Sequence, residues 1–208
     1  MDKQSQSPKE TRFWVEKTIV HNRPDRQSGD NALGKAIWSP QEAEDGKRIY
    51  DKMLEVQPGD VIFHFIDNKQ LDSYSIAAQN ADTSFVGITG TDWGGRPAFR
   101  VPVRNHHKLE PPIDRNEFLQ DPYYRPFLEQ LLDAEEGLFF NRKFNLNQGS
   151  YLTEAPKELV QIWNDIYLKK NGKPLNPDWQ ISPLSSSPTP APAHWIFQGN
   201  PNYFDVDR

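Results

Sequence analysis

The 208-residue sequence contains no cysteine, which excludes every kind of site that depends on a thiol. Disulfide scaffolds, cysteine-liganded zinc, iron–sulfur clusters and thiol nucleophiles all need that residue. Long hydrophobic runs are also missing, since none approaches the ~18 residues of a membrane-spanning helix. The polar start MDKQSQSPKETR has no signal-peptide core. We therefore expect a cytoplasmic protein without a membrane partner.

Positive charge is scarce, because 24 Lys and Arg residues face 29 Asp and Glu residues and the formal net charge is −5. Such a chain is unsuited to coating nucleic acid without regard to sequence, although it leaves room for a small positive site. Hydrophobic residues make up only 36%, yet aromatic residues reach 12%. Disordered chains lack aromatic residues, so we expect most of this chain to fold.

Sequence signatures of catalysis are absent as well. There is no phosphate-binding glycine loop, no Gly-x-Ser-x-Gly motif and no carboxylate pair set apart from the surface. His106 and His107 are adjacent and point in opposite directions on a strand, so we expect no metal site there. His64 lies within an apolar run, where we expect a hydrogen-bonded core residue. The sequence predicts a binding domain without a cofactor, with any catalysis in a downstream part or a partner.

The hydrophobic pattern predicts strands in the middle of the chain and helices beside them. A helix is expected over residues 39–54, where Ser39 is a candidate N-cap and is followed by Pro40 and, three residues after the cap, Glu42. The predicted strands cover residues 13–15, 61–66, 74–78, 85–89 and 98–104, and two further helices cover 115–132 and 156–169. This order predicts an α+β domain around a curved sheet or small barrel.

Composition divides the chain into four parts. Residues 1–11 are polar and predict a disordered N-terminus, and residues 12–170 form the predicted folded domain. Residues 171–193 contain six prolines and predict an extended linker. Residues 194–208 open with a strand-like apolar run, which we interpret as the start of a truncated second domain.

Two tryptophans and a basic segment mark a candidate ligand site. Trp38 directly precedes the expected helix, and Trp93 lies in a Gly-rich loop between two predicted strands. Either they cap the core, or they line a pocket in which a planar ligand stacks. The segment that follows is rich in basic residues and free of acids, which predicts either phosphate contacts or a solvated strand face. Its candidate phosphate-binding residues are Arg96, Arg100, Arg104 and Lys108.

A set of short motifs resembles the YTH/EVE branch of the PUA-like superfamily, and within it the N-terminal domains of McrB-type modification-dependent restriction proteins. The motifs are Phe13-Trp14-Val15-Glu16-Lys17-Thr18, Leu33-Gly34-Lys35-Ala36-Ile37-Trp38-Ser39-Pro40, Gly59-Asp60-Val61-Ile62-Phe63-His64-Phe65, Trp93-Gly94-Gly95-Arg96 and Gln148-Gly149-Ser150-Tyr151-Leu152. The segment 194–205 is similar to the opening of a second EVE domain.

The resemblance implies a PUA-like domain, with a small bent sheet or barrel flanked by helices. It implies that a base flipped out of a strand is held between Trp38 and Trp93. Further candidates at the pocket mouth are Lys17, Thr18, Asp30, Asn31 and Ser39.

The expected function is recognition of a modified base by the targeting domain of a restriction system. The two tryptophans favour N6-methyladenine, with 5-methylcytosine or 5-hydroxymethylcytosine as the alternative. DNA is favoured over RNA, and a nuclease or NTPase is expected as a partner or downstream domain. The alternative of another class is a protein-interaction module in which the tryptophans are structural.

Overall fold

The computed structural model describes residues 11–179 and 181–184. The predictions for the first ten residues, for the later part of the linker and for residues 194–208 lie outside this range. The described part is an α+β domain with one six-stranded curled sheet and four helices, which confirms the predicted fold class. Within the described range, no helix has the length and apolarity that crossing a bilayer requires.

The sheet has the strand order β2-β5-β4-β3-β1-β6, in which β1 and β3 are parallel and the other neighbours antiparallel. The strands are β1 (Phe13–Thr18), β2 (Ala36–Pro40), β3 (Val61–Ile66), β4 (Gln70–Ala77), β5 (Ala98–Asp114) and β6 (Leu152–Glu154). The helices are α1 (Pro24–Gln27), α2 (Asn116–Leu119), α3 (Arg125–Ala134) and α4 (Lys157–Asn171).

Strand β5 produces the curvature. Its first residues pair with β2 and the remainder pairs with β4, so one 17-residue strand belongs to two parts of the sheet. Two register shifts interrupt its pairing with β4, and irregularities of this kind bend a strand. The predicted alternation is confirmed: Phe99, Val101 and Val103 are buried, whereas Arg100 is half-buried and Arg104 exposed.

The two faces of the sheet carry separate cores. Phe63 and Phe65 of β3 pack under the helices with Trp163 of α4. On the other face, Trp14 and Ile62 pack with the residues of β2 and β5. Trp93, one of the two tryptophans of the candidate site, packs against this second cluster, so the candidate site belongs to this face.

Glu16 is a fully buried carboxylate on this second face. It accepts hydrogen bonds from Arg26 of α1 at 2.7 Å and from the hydroxyl of Tyr151 at 2.6 Å. It also lies 2.7 Å from Nδ1 of His64, its register partner on β3. The expectation of a hydrogen-bonded core histidine is therefore confirmed. Burial opposes ionisation of Glu16, but Arg26 and His64 overcome it and lower the pKa of the carboxyl group.

The helix predicted over residues 39–54 is wrong. Ser39 and Pro40 end β2 and pair with β5, and only a 3₁₀ turn forms later, at Asp51–Glu55. Gly46 has a φ of +78°, which is incompatible with a continuous helix. Pairing with β5 thus overrides a local sequence that matches a helix start, and Pro40 is accommodated because β2 is an edge strand.

Two other predicted elements differ from the structure. The strand at 85–89 is reduced to an isolated bridge between Val86 and Pro97. The helix at 115–132 is divided into α2 and α3, because Pro122 follows Asp121 in the middle of the predicted range.

The packed domain extends beyond the predicted boundary at residue 170. Leu175 is buried, and Trp179 contacts Phe13, Phe63 and Tyr74 edge to face with ring-centroid distances of 4.7–5.7 Å. The first part of the proline-containing segment is therefore part of the helix-covered core.

Replacing Glu16 tests the buried cluster. We expect Glu16→Gln to lower the free energy of unfolding by about 3–5 kcal/mol, because it leaves Arg26 buried without a countercharge. Glu154→Gln is the matched control, since Glu154 pairs with Arg12 near the surface, where a loss of about 0–1 kcal/mol is usual. Urea denaturation of both variants measures the difference.

The difference in unfolding free energy between the wild type and Glu16→Gln should depend on pH. Because the folded-state pKa of Glu16 is lowered, its stabilising contribution is complete above the ordinary glutamate pKa. That contribution disappears as the pH falls through the lowered value. The stability difference between the wild type and Glu16→Gln should therefore shrink in acid, and a constant difference would contradict the ion-pair account.

Candidate aromatic cavity

A cavity of about 360 Å³ opens beside β1 and β2, within the size range of small-ligand sites. Its aromatic lining consists of Trp38, Tyr50, Trp93 and Tyr151, and its cationic lining of Lys17, Arg23 and Arg26. The remaining lining residues are Thr18, Ile19, Asn68, Asp92, Gly149 and Ser150. The cavity thus combines stacking surfaces with an excess of positive groups.

The two tryptophans form a corner. Their ring centroids are 5.5 Å apart and their planes are inclined at 87°, so the rings touch edge to face. The expectation that they sandwich a base is therefore wrong for this structure, because a sandwich needs two parallel rings with a gap between them. Two perpendicular rings in contact allow a planar ligand to stack on only one of them.

Two tyrosines extend the corner. Tyr50 lies 5.9 Å from Trp93 with an interplanar angle of 61°, and Tyr151 lies 5.9 Å from Trp93 at 90°. The tyrosines are also 6.3 Å from each other. Trp93 is therefore the central ring, in edge-to-face contact with the three others.

Glycines fix the position of Trp93. A Cβ atom at Gly87 would lie 1.9 Å from the Trp93 carbonyl oxygen, and one at Gly94 would lie 2.7 Å from the Ile88 carbonyl oxygen. The backbone N–H of Gly87 donates to the carbonyl oxygen of Arg96 at 2.8 Å, and the N–H of Gly95 donates to the carbonyl oxygen of Gly87 at 2.9 Å. The loop closes this tightly only without side chains at these positions, which explains the Gly-rich sequence around Trp93.

Trp38 is positioned by strand β2. It pairs with Arg100 of β5, and its backbone N–H donates to the Tyr151 hydroxyl at 3.0 Å. The side chain is only 1% exposed, whereas Trp93 is half-buried. Trp38 is therefore a buried strand residue, whereas Trp93 lies on a loop.

Arg23 covers both tryptophans. Its guanidinium carbon lies 5.8 Å from the ring centroids of Trp38 and of Trp93, within cation–π range. Asp25 holds it through two hydrogen bonds of 2.8 Å. Burial raises the pKa of Asp25, but the hydrogen bonds and the positive charge of Arg23 outweigh it and lower that pKa. The Arg23–Asp25 pair is therefore a fixed ionic element at the edge of the aromatic corner.

The deeper wall continues into the Glu16 cluster. Arg26, which lines the cavity, donates to Glu16 and to the carbonyl oxygens of Asn31 and Ala36 at 2.7–2.8 Å. Burial and the adjacent Glu16 raise the pKa of the Tyr151 hydroxyl well above its ordinary value. Tyr151 consequently remains a neutral donor to Glu16 near neutral pH.

The structure brings together four of the seven residues predicted for the base-binding pocket. Lys17, Thr18, Trp38 and Trp93 line the cavity. Ser39, Asp30 and Asn31 do not line it. Ser39 is fully buried beside Trp38, where successive side chains of β2 point to opposite faces. The side chain of Asn31 and the carbonyl of Asp30 instead bind the guanidinium of Arg100 at 2.7 and 2.9 Å.

The four predicted phosphate-binding residues divide into two pairs. Arg96 donates to the carbonyl oxygens of Glu42 and Ala43, and Arg100 is held as described above. Arg104 and Lys108 are exposed, and their side chains have neither a hydrogen bond nor an ion pair with another described residue. Arg104 and Lys108 are the pair whose charge is available to a ligand.

Four prominent site residues were missed from the sequence: Tyr50, Tyr151, Arg23 and Asp92. Tyr151 carried the best signal, because it lies in the Gln148–Leu152 motif, but no site role was assigned to it. Tyr50 was placed on a helix that does not form. Arg23 and Asp92 lie in polar loops, and only the folded chain shows which loop residues approach the tryptophans.

Metal binding has no support in the described part of the chain, where no group of three or more potential ligands is found. His106 lies 3.1 Å from the Ser75 hydroxyl, whereas His107 stacks beside Tyr74 at 5.0 Å. The two adjacent histidines therefore contact different partners.

The chain is similar to several solved structures. A hypothetical protein from Leishmania major matches with a TM-score of 0.52 at 9% identity, over 77% of this chain and 96% of that one. A protein from Pseudomonas putida matches with a TM-score of 0.47 at 13% identity, over 75% and 99% of the two chains. The N-terminal domain of Staphylothermus marinus McrB has a TM-score of 0.39 at 14% identity, over 70% and 90%. No protein-family model and no curated protein sequence matches the chain.

The two tryptophans should differ in their effect on stability. We expect Trp38→Ala to lower the free energy of unfolding by about 3–5 kcal/mol, because it empties a buried position between β2 and the cavity. Trp93→Ala should cost clearly less, because Trp93 is half-buried on a loop. Urea denaturation measures both, and equal losses would contradict the assignment of Trp38 to the core.

Proposed function

We propose that this chain is a nucleic-acid-binding module of the PUA-like superfamily that recognises a modified base flipped into the aromatic cavity. The observation that carries the proposal is the corner of Trp38 and Trp93, extended by Tyr50 and Tyr151, in a cavity large enough for a planar ligand. Stacking on aromatic rings stabilises a bound base by ~1–3 kcal/mol, comparable with the few kcal/mol needed to extrude it. The motif resemblance to YTH/EVE domains supports the same assignment.

The proposed biological role is the targeting domain of a modification-dependent restriction system that acts on DNA. Catalysis is assigned to a downstream part or to a nuclease or NTPase partner, and this chain is proposed as the reader. The two-tryptophan pattern of the sequence favours N6-methyladenine, and the perpendicular arrangement of the rings adds no further preference for a purine. N6-methyladenine and 5-substituted cytosine are therefore both candidates for the bound base.

Binding of short oligonucleotides tests the proposal. Single strands and duplexes carrying N6-methyladenine, 5-methylcytosine, 5-hydroxymethylcytosine or no modification, as DNA and as RNA, are titrated by fluorescence anisotropy. Trp93→Ala should weaken binding of the preferred modified strand roughly 5- to 150-fold, because one stacking face is lost. Binding of unmodified strands should change little.

Trp179→Ala is the matched control. Trp179 is also a half-buried tryptophan, but it packs against the helix-covered core and does not line the cavity. Its replacement should leave the ratio of modified to unmodified affinity unchanged. If no strand binds, or if both variants lose the same affinity, the tryptophans are structural and the protein-interaction alternative gains support.

Phosphate contacts have a separate signature. We propose that Arg104 and Lys108 contact the nucleic-acid backbone, because they are the exposed members of the basic segment without partners among the described residues. Replacing either with Gln should weaken modified and unmodified strands alike and reduce the slope of log affinity against log salt by about one. Arg125→Gln on α3 is the control. An unchanged slope in the double variant would exclude these contacts.

A further inference from the structure

Among the three cations that line the cavity, Lys17 alone has no carboxylate partner in the described structure. Arg23 is engaged by Asp25 through two hydrogen bonds, and Arg26 is engaged by Glu16. The ammonium group of Lys17 has one hydrogen-bond partner, the carbonyl oxygen of Asn147. Burial, with no compensating acid, lowers the pKa of Lys17.

The carbonyl of Asn147 fixes the direction of the Lys17 side chain without neutralising it. A lysine ammonium carries three N–H donors and no acceptor, so two donors remain after this contact. A half-buried cation with unused donors makes fewer hydrogen bonds to water than an exposed one. A ligand that supplies acceptors replaces those missing hydrogen bonds. Lys17 therefore favours a ligand whose inner edge carries acceptors rather than donors.

We propose that Lys17 selects the hydrogen-bonding edge of the bound base, by pairing its ammonium with two adjacent acceptors while the ring stacks in the aromatic corner. This inference rests on the proposed function of the cavity. Cytosine offers such a pair at O2 and N3, and guanine offers one at O6 and N7. Adenine offers none, because the amino group is the neighbour of N7 on one edge and of N1 on another.

The proposal assigns a ligand class to this cavity, namely bases with two neighbouring acceptors. In N6-methyladenine, the acceptors N1 and N7 both lie next to the N6 group. An ammonium that approaches either acceptor would therefore also meet the N6–H or the methyl group. The aromatic rings do not make this distinction, because every base has a face that can stack. Under this assignment, Lys17 is the residue that discriminates between bases.

The experiment replaces one acceptor atom of the base and, separately, removes the ammonium group of Lys17. Single-stranded DNA carrying one 5-methylcytosine is compared with a strand in which N3 of that base is replaced by C–H, and with a strand carrying one N6-methyladenine. Wild-type protein should bind the first strand at least about 10-fold more tightly than the other two, as expected for a hydrogen bond to a charged group.

Lys17→Met keeps the length and apolar stem of the side chain and should reduce these ratios toward one. Lys52→Met is the control, because Lys52 is an exposed lysine paired with Glu55 outside the cavity lining. A strand with an abasic site retains the phosphates and lacks the base. If Lys17→Met weakens that strand equally, Lys17 contacts phosphate and the proposal is wrong.

The remaining outcomes are distinct. Wild-type protein that binds modified strands but tolerates the N3 replacement overturns the assignment of Lys17 and leaves the base-reading function intact. This comparison needs no variant, so it holds even if Lys17→Met fails to fold. Wild-type protein that binds no strand overturns both the function and the inference.

Discussion

The buried carboxylate of Glu16 is the interaction on which both the fold and the cavity depend. It joins β1 to His64 of β3, to Arg26 of α1 and to Tyr151 in the segment before β6. Tyr151 in turn accepts the backbone N–H of Trp38 from β2. A charge in this position requires all of its partners, since an uncompensated buried ion is strongly unfavourable. One side chain therefore links the segments that carry two of the four aromatic rings, Trp38 and Tyr151.

Several separate contacts hold the residues of the cavity walls in place. Trp38 is held within a paired strand, and Trp93 is held within a loop that glycines close tightly. Arg23 is held by two hydrogen bonds to Asp25. Rings fixed in this way lose little conformational freedom when a planar ligand stacks on them. In the proposed function, the aromatic corner supplies general affinity for flat ligands, and the polar groups at its edge discriminate among them.

Patterns that depend on neighbouring residues along the chain were predictable. The alternation from Phe99 to Val103 defined the first part of β5, and the apolar run in β3 located His64 in the core. The helix expected after Ser39 shows the limit of such reasoning. Its local capping signal is real, but pairing of β2 with β5 stabilises an extended backbone, and this long-range partner is invisible in the local sequence.

The sequence by itself determined the class of the fold, the aromatic character of the site and the presence of Lys17, Trp38 and Trp93 in it. Only the tertiary structure decided how these groups face one another. It turned the tryptophans into a perpendicular corner, directed Asn31 to Arg100, and paired every cavity cation except Lys17 with a carboxylate among the described residues. Hydrophobic periodicity is a local property that the sequence carries directly. The angle between two rings and the partner of a charge depend on contacts between distant segments, which form only when the chain folds.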